Sequence, residues 1–132
     1  MSIYLDRAKE LRACIDPHYN CAQSVLIPFA EQAGLTMEQA NAVAQAFGGG
    51  MQVGSVCGAL TGALMALGVL GHADRKTVST LFRRMRENHG GTITCVDLLR
   101  KNAEAGDQKK PHCDAMVYEA IALVEELTAD GE

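Results

Sequence analysis

Residues 53–71 read VGSVCGALTGALMALGVLG, a run in which every residue is apolar or small. The run lies inside a longer stretch, from Gln39 to Ala73, that contains no Asp, Glu, Lys or Arg. Its length is about that of a membrane span. It is rich in Gly and Ala, however, has no aromatic anchors, and lacks the dense Leu and Ile content that insertion favours. A buried central helix covering about Ser55 to Leu70 is therefore expected rather than a span. Gly54, Gly58 and Gly62 recur every four residues, with Ala59, Ala63 and Ala66 nearby. Such a small-residue face admits close approach by another helix, within the subunit or across a homodimer.

Working outward, apolar residues keep helical spacing and strand-like alternation is scarce, so the expected fold is all-α, a single-domain bundle of six to seven helices over residues 1–132. Toward the N-terminus, Thr36 with Gln39 forms a capping-box pattern for a helix reaching Phe47, where Gly48, Gly49 and Gly50 break it in a turn with positive φ angles. A helix from Cys21 to about Ala33 has Asn20 as cap and Gly34 as stop, with Pro28 expected to kink or divide it. The first helix runs from about Ser2 to Cys14. Toward the C-terminus, Asp74 caps a helix to about Glu87, another spans about Thr94 to Ala103, and Pro111 opens the last, which continues to about Thr128.

The chain has 12 basic and 16 acidic residues, a net charge of −4, and advertises no basic surface for nucleic acid. The short basic run Lys109–Lys110 reads as a solvated loop. The opening MSIYLDRAKELRAC lacks the apolar segment and cleavage site of a secretory signal, so a cytoplasmic location is expected. In that reducing compartment several cysteines read as metal-binding or redox-cycling rather than as disulfide staples.

Four of the five cysteines, Cys21, Cys57, Cys95 and Cys113, fall at predicted helix starts. A helix start concentrates unpaired N–H groups and positive partial charge, which favours thiolate. Short loops make successive helices antiparallel, so the starts of the second, fourth and sixth share one end. The connection from Glu104 to Lys110 spans about 23 Å when extended. The sixth helix is only about 15 Å long. The connection can therefore run back along that helix and bring Cys113 to the same end. Cys14, closing the first helix, belongs there too. The competing reading is that each cysteine is buried as a small hydrophobe. Among the histidines, His18, His89 and His112 lie near cysteines, and His112, beside Cys113, is the candidate extra ligand, whereas His72 belongs to the opposite pole.

The segments NCAQSVL from Asn20 and VCGALTGALMALG from Val56, followed by Cys95 and Cys113, resemble the family named for its C-GCAxxG-C-C cysteine pattern. The most specific part is the CGAxxG element from Cys57 to Gly62, in which Cys precedes Gly rather than following it as in the family's name. The resemblance maps the four family cysteines onto Cys21, Cys57, Cys95 and Cys113, and leaves Cys14 outside the pattern. It implies redox activity with an unnamed redox partner and no named substrate. Covalent haem has no support, since no Cys-x-x-Cys-His occurs.

Three functions fit these residues. In the first, a thiol-dependent oxidoreductase, a thiolate at a helix start attacks a disulfide or peroxide and a neighbour resolves it, with Cys57 as nucleophile candidate and Cys95, Cys113 or Cys21 as partner. In the second, the same four cysteines ligate a metal centre, an iron–sulfur cluster ahead of zinc because the ligands are not in close pairs. In the third, the Gly/Ala face binds a partner and the cysteines merely pack. Hydrolysis and phosphate chemistry have no motif: neither Gly-x-x-x-x-Gly-Lys nor His-Glu-x-x-His is present.

Overall fold

Local capping signals set most of the helix boundaries. The computed structural model describes residues 2–129 and, within them, consists of seven α-helices without a β-strand. They are α1 (Ile3–Ala13), α2 (Cys21–Gln32), α3 (Met37–Ala44), α4 (Gly58–Val69), α5 (Arg75–Asn88), α6 (Cys95–Glu104) and α7 (Lys109–Ala129). Asn20 and Thr36 each close a reciprocal capping box, with Gln23 and Gln39 respectively, and the Asp74 side chain accepts from the Thr77 amide. A single turn of tighter helix, Gln45–Phe47, extends α3 to the expected residue. Helix α2 runs on through Pro28 without being divided.

The core forms where α2, α4 and α7 meet. Every residue of α2 from Ala22 to Ala30 is buried, so this helix is even more enclosed than the Gly/Ala-rich α4. Val25, Ile27 and Phe29 of α2 pack with Leu60 and Leu67 of α4 and with Val117, Ile121 and Val124 of α7. Tyr4 stacks on Phe29 with ring centroids 4.4 Å apart and fastens α1 to the same core. No helix of the described residues is long and apolar enough to cross a membrane.

The glycine face is used inside the chain. A Cβ on Gly62 would stand 2.7 Å from the Ala22 carbonyl oxygen, and one on Gly58 would stand 3.0 Å from the Phe47 carbonyl oxygen and 3.3 Å from Cys21 Cβ. Both glycines are buried under α2, so the contact offered for a homodimer is already taken. Gly54 is not part of that face. It lies before α4 with φ +73° and is set against Val96.

Before α4 the chain makes a left-handed turn. Gly49, Gly50, Met51 and Gln52 all have φ near +60°, so the positive-φ turn expected of Gly48–Gly50 omits Gly48 and extends into two non-glycine residues. Gly50 has no alternative here, because a Cβ would stand 2.4 Å from the Ser55 nitrogen. Residues 55–57, expected to be helical, are not, and form a bridge instead. The Cys57 amide donates to the Ile93 carbonyl at 2.8 Å and the Cys95 amide donates to the Ser55 carbonyl at 2.6 Å, an antiparallel bridge between Val56 and Thr94.

Candidate functional site

That two-bond clip determines where two cysteines go. It ties the approach to α4 to the approach to α6, so Cys57, the N-cap residue of α4, and Cys95, the first residue of α6, begin their helices side by side. Gly58 lets the start of α4 press on Cys21, the first residue of α2. Helix α7 returns from the short 105–108 connection and brings in Cys113. All five cysteines, Cys14 included, are free thiols that line one cavity of about 760 Å³. The sulfurs therefore converge on one cavity as expected, but Cys113 gets there by an early start of α7 and not by the long Glu104–Lys110 connection expected to run back along α6.

The cause proposed for thiolate formation needs correction. Helix α7 begins at Lys109 rather than Pro111, so Cys113 lies beyond the first four residues, whose amides are unpaired. The three cysteines that do sit at helix starts are all driven toward the neutral thiol. Burial pushes Cys57 up to about 11, although the Ala59 and Leu60 amides favour its anion, and its side chain makes no full capping hydrogen bond. Burial, followed by the nearby Cys113, also raises Cys95. A half-turn of dipole does not offset removal of the sulfur from water.

Cys113 behaves oppositely. Its hydrogen bond with Cys21 lowers it to about 7, against burial, and Arg12 and Lys109 add favourable charge. Cys21 is correspondingly raised, first by the bond to Cys113 and then by burial. The two titrate as one dithiol: the first proton leaves readily and the second is held.

Arg12 and Lys110, both unrecognised from sequence, hold this pair in place. Arg12 is 6% exposed. Its Nε donates to Asp114 at 2.6 Å and its Nη1 donates to the Tyr19 carbonyl at 2.9 Å. Lys110 Nζ donates to the Arg12 carbonyl at 2.9 Å and to Asp114 Oδ2 at 3.0 Å. Burial would raise Asp114, but these two cations keep its carboxyl below the ordinary range. Lys109 and Lys110, read as a solvated loop, form the first turn of α7 and line the cavity. An arginine in the last turn of a helix reads from sequence as a dipole partner, and only tertiary packing makes it the neighbour of a thiol.

Of the histidines, His18 and His112 line the cavity. Burial lowers His112, with a further push from His89, so it is neutral near pH 7. His89 is turned to Glu119, 2.7 Å away, and His72 lies in a separate cleft with Tyr4 and Phe29. Thiolates converging on a single zinc ion would require at least three donors grouped around one point. Among the described residues no three His, Cys, Asp or Glu side chains are so grouped, and His112 does not complete such a set. The donor geometry does not fit a preformed single-ion site.

Residues 19–127 match the model of the family described as "Putative redox-active protein (C_GCAxxG_C_C)". No curated protein and no solved structure matches the chain. The cavity cysteines Cys21, Cys57, Cys95 and Cys113 all fall inside the matched span, and Cys14 falls outside it.

Proposed function

From the premise that this chain belongs to the C_GCAxxG_C_C family, we propose that it carries out thiol–disulfide exchange through a Cys113–Cys21 dithiol. The observation that carries this reading is the meeting of Cys113 and Cys21 on one open cavity beside the buried Arg12 guanidinium, whose charge favours a thiolate there. Cys113, and not the Cys57 expected from sequence, is the attacking thiol. Cys57 is held as a neutral thiol at pH 7, whereas Cys113 has its pKa near that pH, where thiolate fraction and nucleophilicity are jointly best.

The chemistry balances with a disulfide as oxidant. The Cys113 thiolate attacks one sulfur of the substrate, forming a mixed disulfide and breaking the substrate S–S bond, and the departing thiolate takes a proton. Cys21 Sγ then attacks Cys113 Sγ, a Cys21–Cys113 disulfide forms, and the second substrate sulfur leaves as thiol. Two electrons pass from the protein dithiol to the substrate, which becomes two thiols. Attack on Cys113 also primes the second step. It removes the largest influence holding the Cys21 proton, the bond to the Cys113 sulfur, while Arg12 remains to favour the Cys21 thiolate.

Single-turnover reduction of hydroxyethyl disulfide by the pre-reduced protein tests this. Cys113→Ser is expected to lose at least about 100-fold in rate, because a hydroxyl does not replace a thiolate nucleophile. Cys21→Ser is expected to stop at a mixed disulfide on Cys113, visible as an added mass on the intact protein. Unimpaired turnover in Cys113→Ser refutes the assignment.

A further inference from the structure

The cavity has a charge character at odds with the rest of the chain. Acidic residues outnumber basic ones 16 to 12 overall, yet the lining contains Arg12, Lys109 and Lys110 and no Asp or Glu. Two of these cations are already committed. Arg12 faces Asp114 and the thiol pair, and Lys110 bonds the same carboxylate and the Arg12 carbonyl. Lys109 takes part in no ion pair among the described residues, although it is close enough to Cys95 and Cys113 to favour both thiolates.

Its position sharpens the point. The first turn of a helix is where carboxylates are favoured and cations are not, yet α7 opens with two lysines and no acidic residue in that turn. Helix dipole and ammonium groups therefore add positive potential at the same place. Apolar surface completes the site: Leu98, Leu99 and Met116 line the walls, and Ile15, 87% exposed, stands at the rim. A volume of about 760 Å³ lies within the range of roughly 300–1,000 Å³ that encloses small ligands.

We propose that the substrate is a low-molecular-weight disulfide bearing carboxylates, recognised by Lys109 at the start of α7 while its S–S bond is presented to Cys113. This rests on the thiol-exchange reading and adds the ligand class. The disulfide goes to the dithiol's sulfurs and the carboxylate to Lys109, the cation of the described cavity lining that is in no ion pair.

Three small disulfides that differ in charge separate the possibilities: dithiodiglycolate, which is dianionic, hydroxyethyl disulfide, which is neutral, and cystamine, which is dicationic. Each rate of reduction by the pre-reduced protein is divided by the rate for the same disulfide with free mercaptoethanol, which removes intrinsic reactivity. The expected order is anionic, neutral, cationic, with the anion favoured over the dication by at least about tenfold at low ionic strength and by less in high salt. Lys109→Gln is expected to lower the anionic-to-neutral ratio by about threefold, the scale of one exposed charge at close range. Lys76→Gln, on α5 and outside the cavity, serves as control and is expected to leave the ratio unchanged. Equal normalised rates, or a preference for cystamine, overturn the ligand class and spare the exchange reading. An unchanged ratio in Lys109→Gln overturns the assignment to Lys109. No reaction with any of the three overturns both readings.

Discussion

Burial and a neighbouring cation pull a thiol's ionisation in opposite directions, and Cys57 and Cys113 separate the two effects within one cavity. Cys57 is 6% exposed, and burial outweighs the amides that favour its anion. Cys113 is better placed, because its neighbours supply a thiol donor in Cys21 and charge from Arg12 and Lys109. Alkylation by iodoacetamide, followed site by site, should therefore rise with pH with a midpoint near 7 at Cys113, while Cys57 should stay slow until the pH nears 11. Replacing Arg12 by Gln removes favourable charge, so the Cys113 midpoint should move to higher pH. Arg12→Lys should restore part of the shift, keeping the charge but not the guanidinium's fixed fork. A Cys113 profile that Arg12→Gln leaves in place would show that Arg12 only packs. The sequence marks the cysteines as candidates because sulfur is rare and its position countable. It does not rank them, because desolvation and an arginine 101 positions away in the chain depend on packing.

At the scale of elements, the CGAxxG motif is a device for bringing two helices into close contact. Gly58 and Gly62 remove the Cβ atoms that would hold α4 off α2, which places Cys57 and Cys21 at adjoining helix starts. Substituting alanine at Gly62 should destabilise the protein by about 1–3 kcal/mol in urea unfolding, since the obstacle at 2.7 Å is backbone and the helix-propensity gain is smaller than the overpacking cost. Gly68 on the same helix has nothing within 4 Å of its Cβ position. Gly68→Ala should instead stabilise by up to about 1 kcal/mol. If both changes have the same sign, close contact is not what the motif's second glycine provides. Helix existence, type and caps were legible because Asn20, Thr36 and Asp74 act on amides three residues away. The non-helical bridge at residues 55–57 was not, because its hydrogen bonds are made with residues 93–95. Helix α7 starts two residues before the Pro111 that its sequence signals, for a related reason. Proline at its third position satisfies first-turn chemistry as well as a first-position proline does, and two lysines give no cap signal.

For the molecule as a whole, antiparallel order in a bundle gathers sulfurs from helices far apart in sequence, and chain direction made this legible for Cys21, Cys57 and Cys95, whereas Cys113 arrives on the second turn of an earlier-starting α7 and not through a long connection. What lay beyond the sequence was the division of labour among them. The clip between residues 55–57 and 93–95 sets Cys57 beside Cys95, while the Arg12–Asp114–Lys110 group sets Cys113 with Cys21. The most direct test of that division is to oxidise the fully reduced protein anaerobically with one equivalent of hydroxyethyl disulfide, block the remaining thiols and map disulfides by peptide mass spectrometry. The account predicts a Cys21–Cys113 bond as the first product, with Cys14, Cys57 and Cys95 recovered as blocked thiols. A first bond joining Cys57 to Cys95, with Cys21 and Cys113 still reduced, would contradict it.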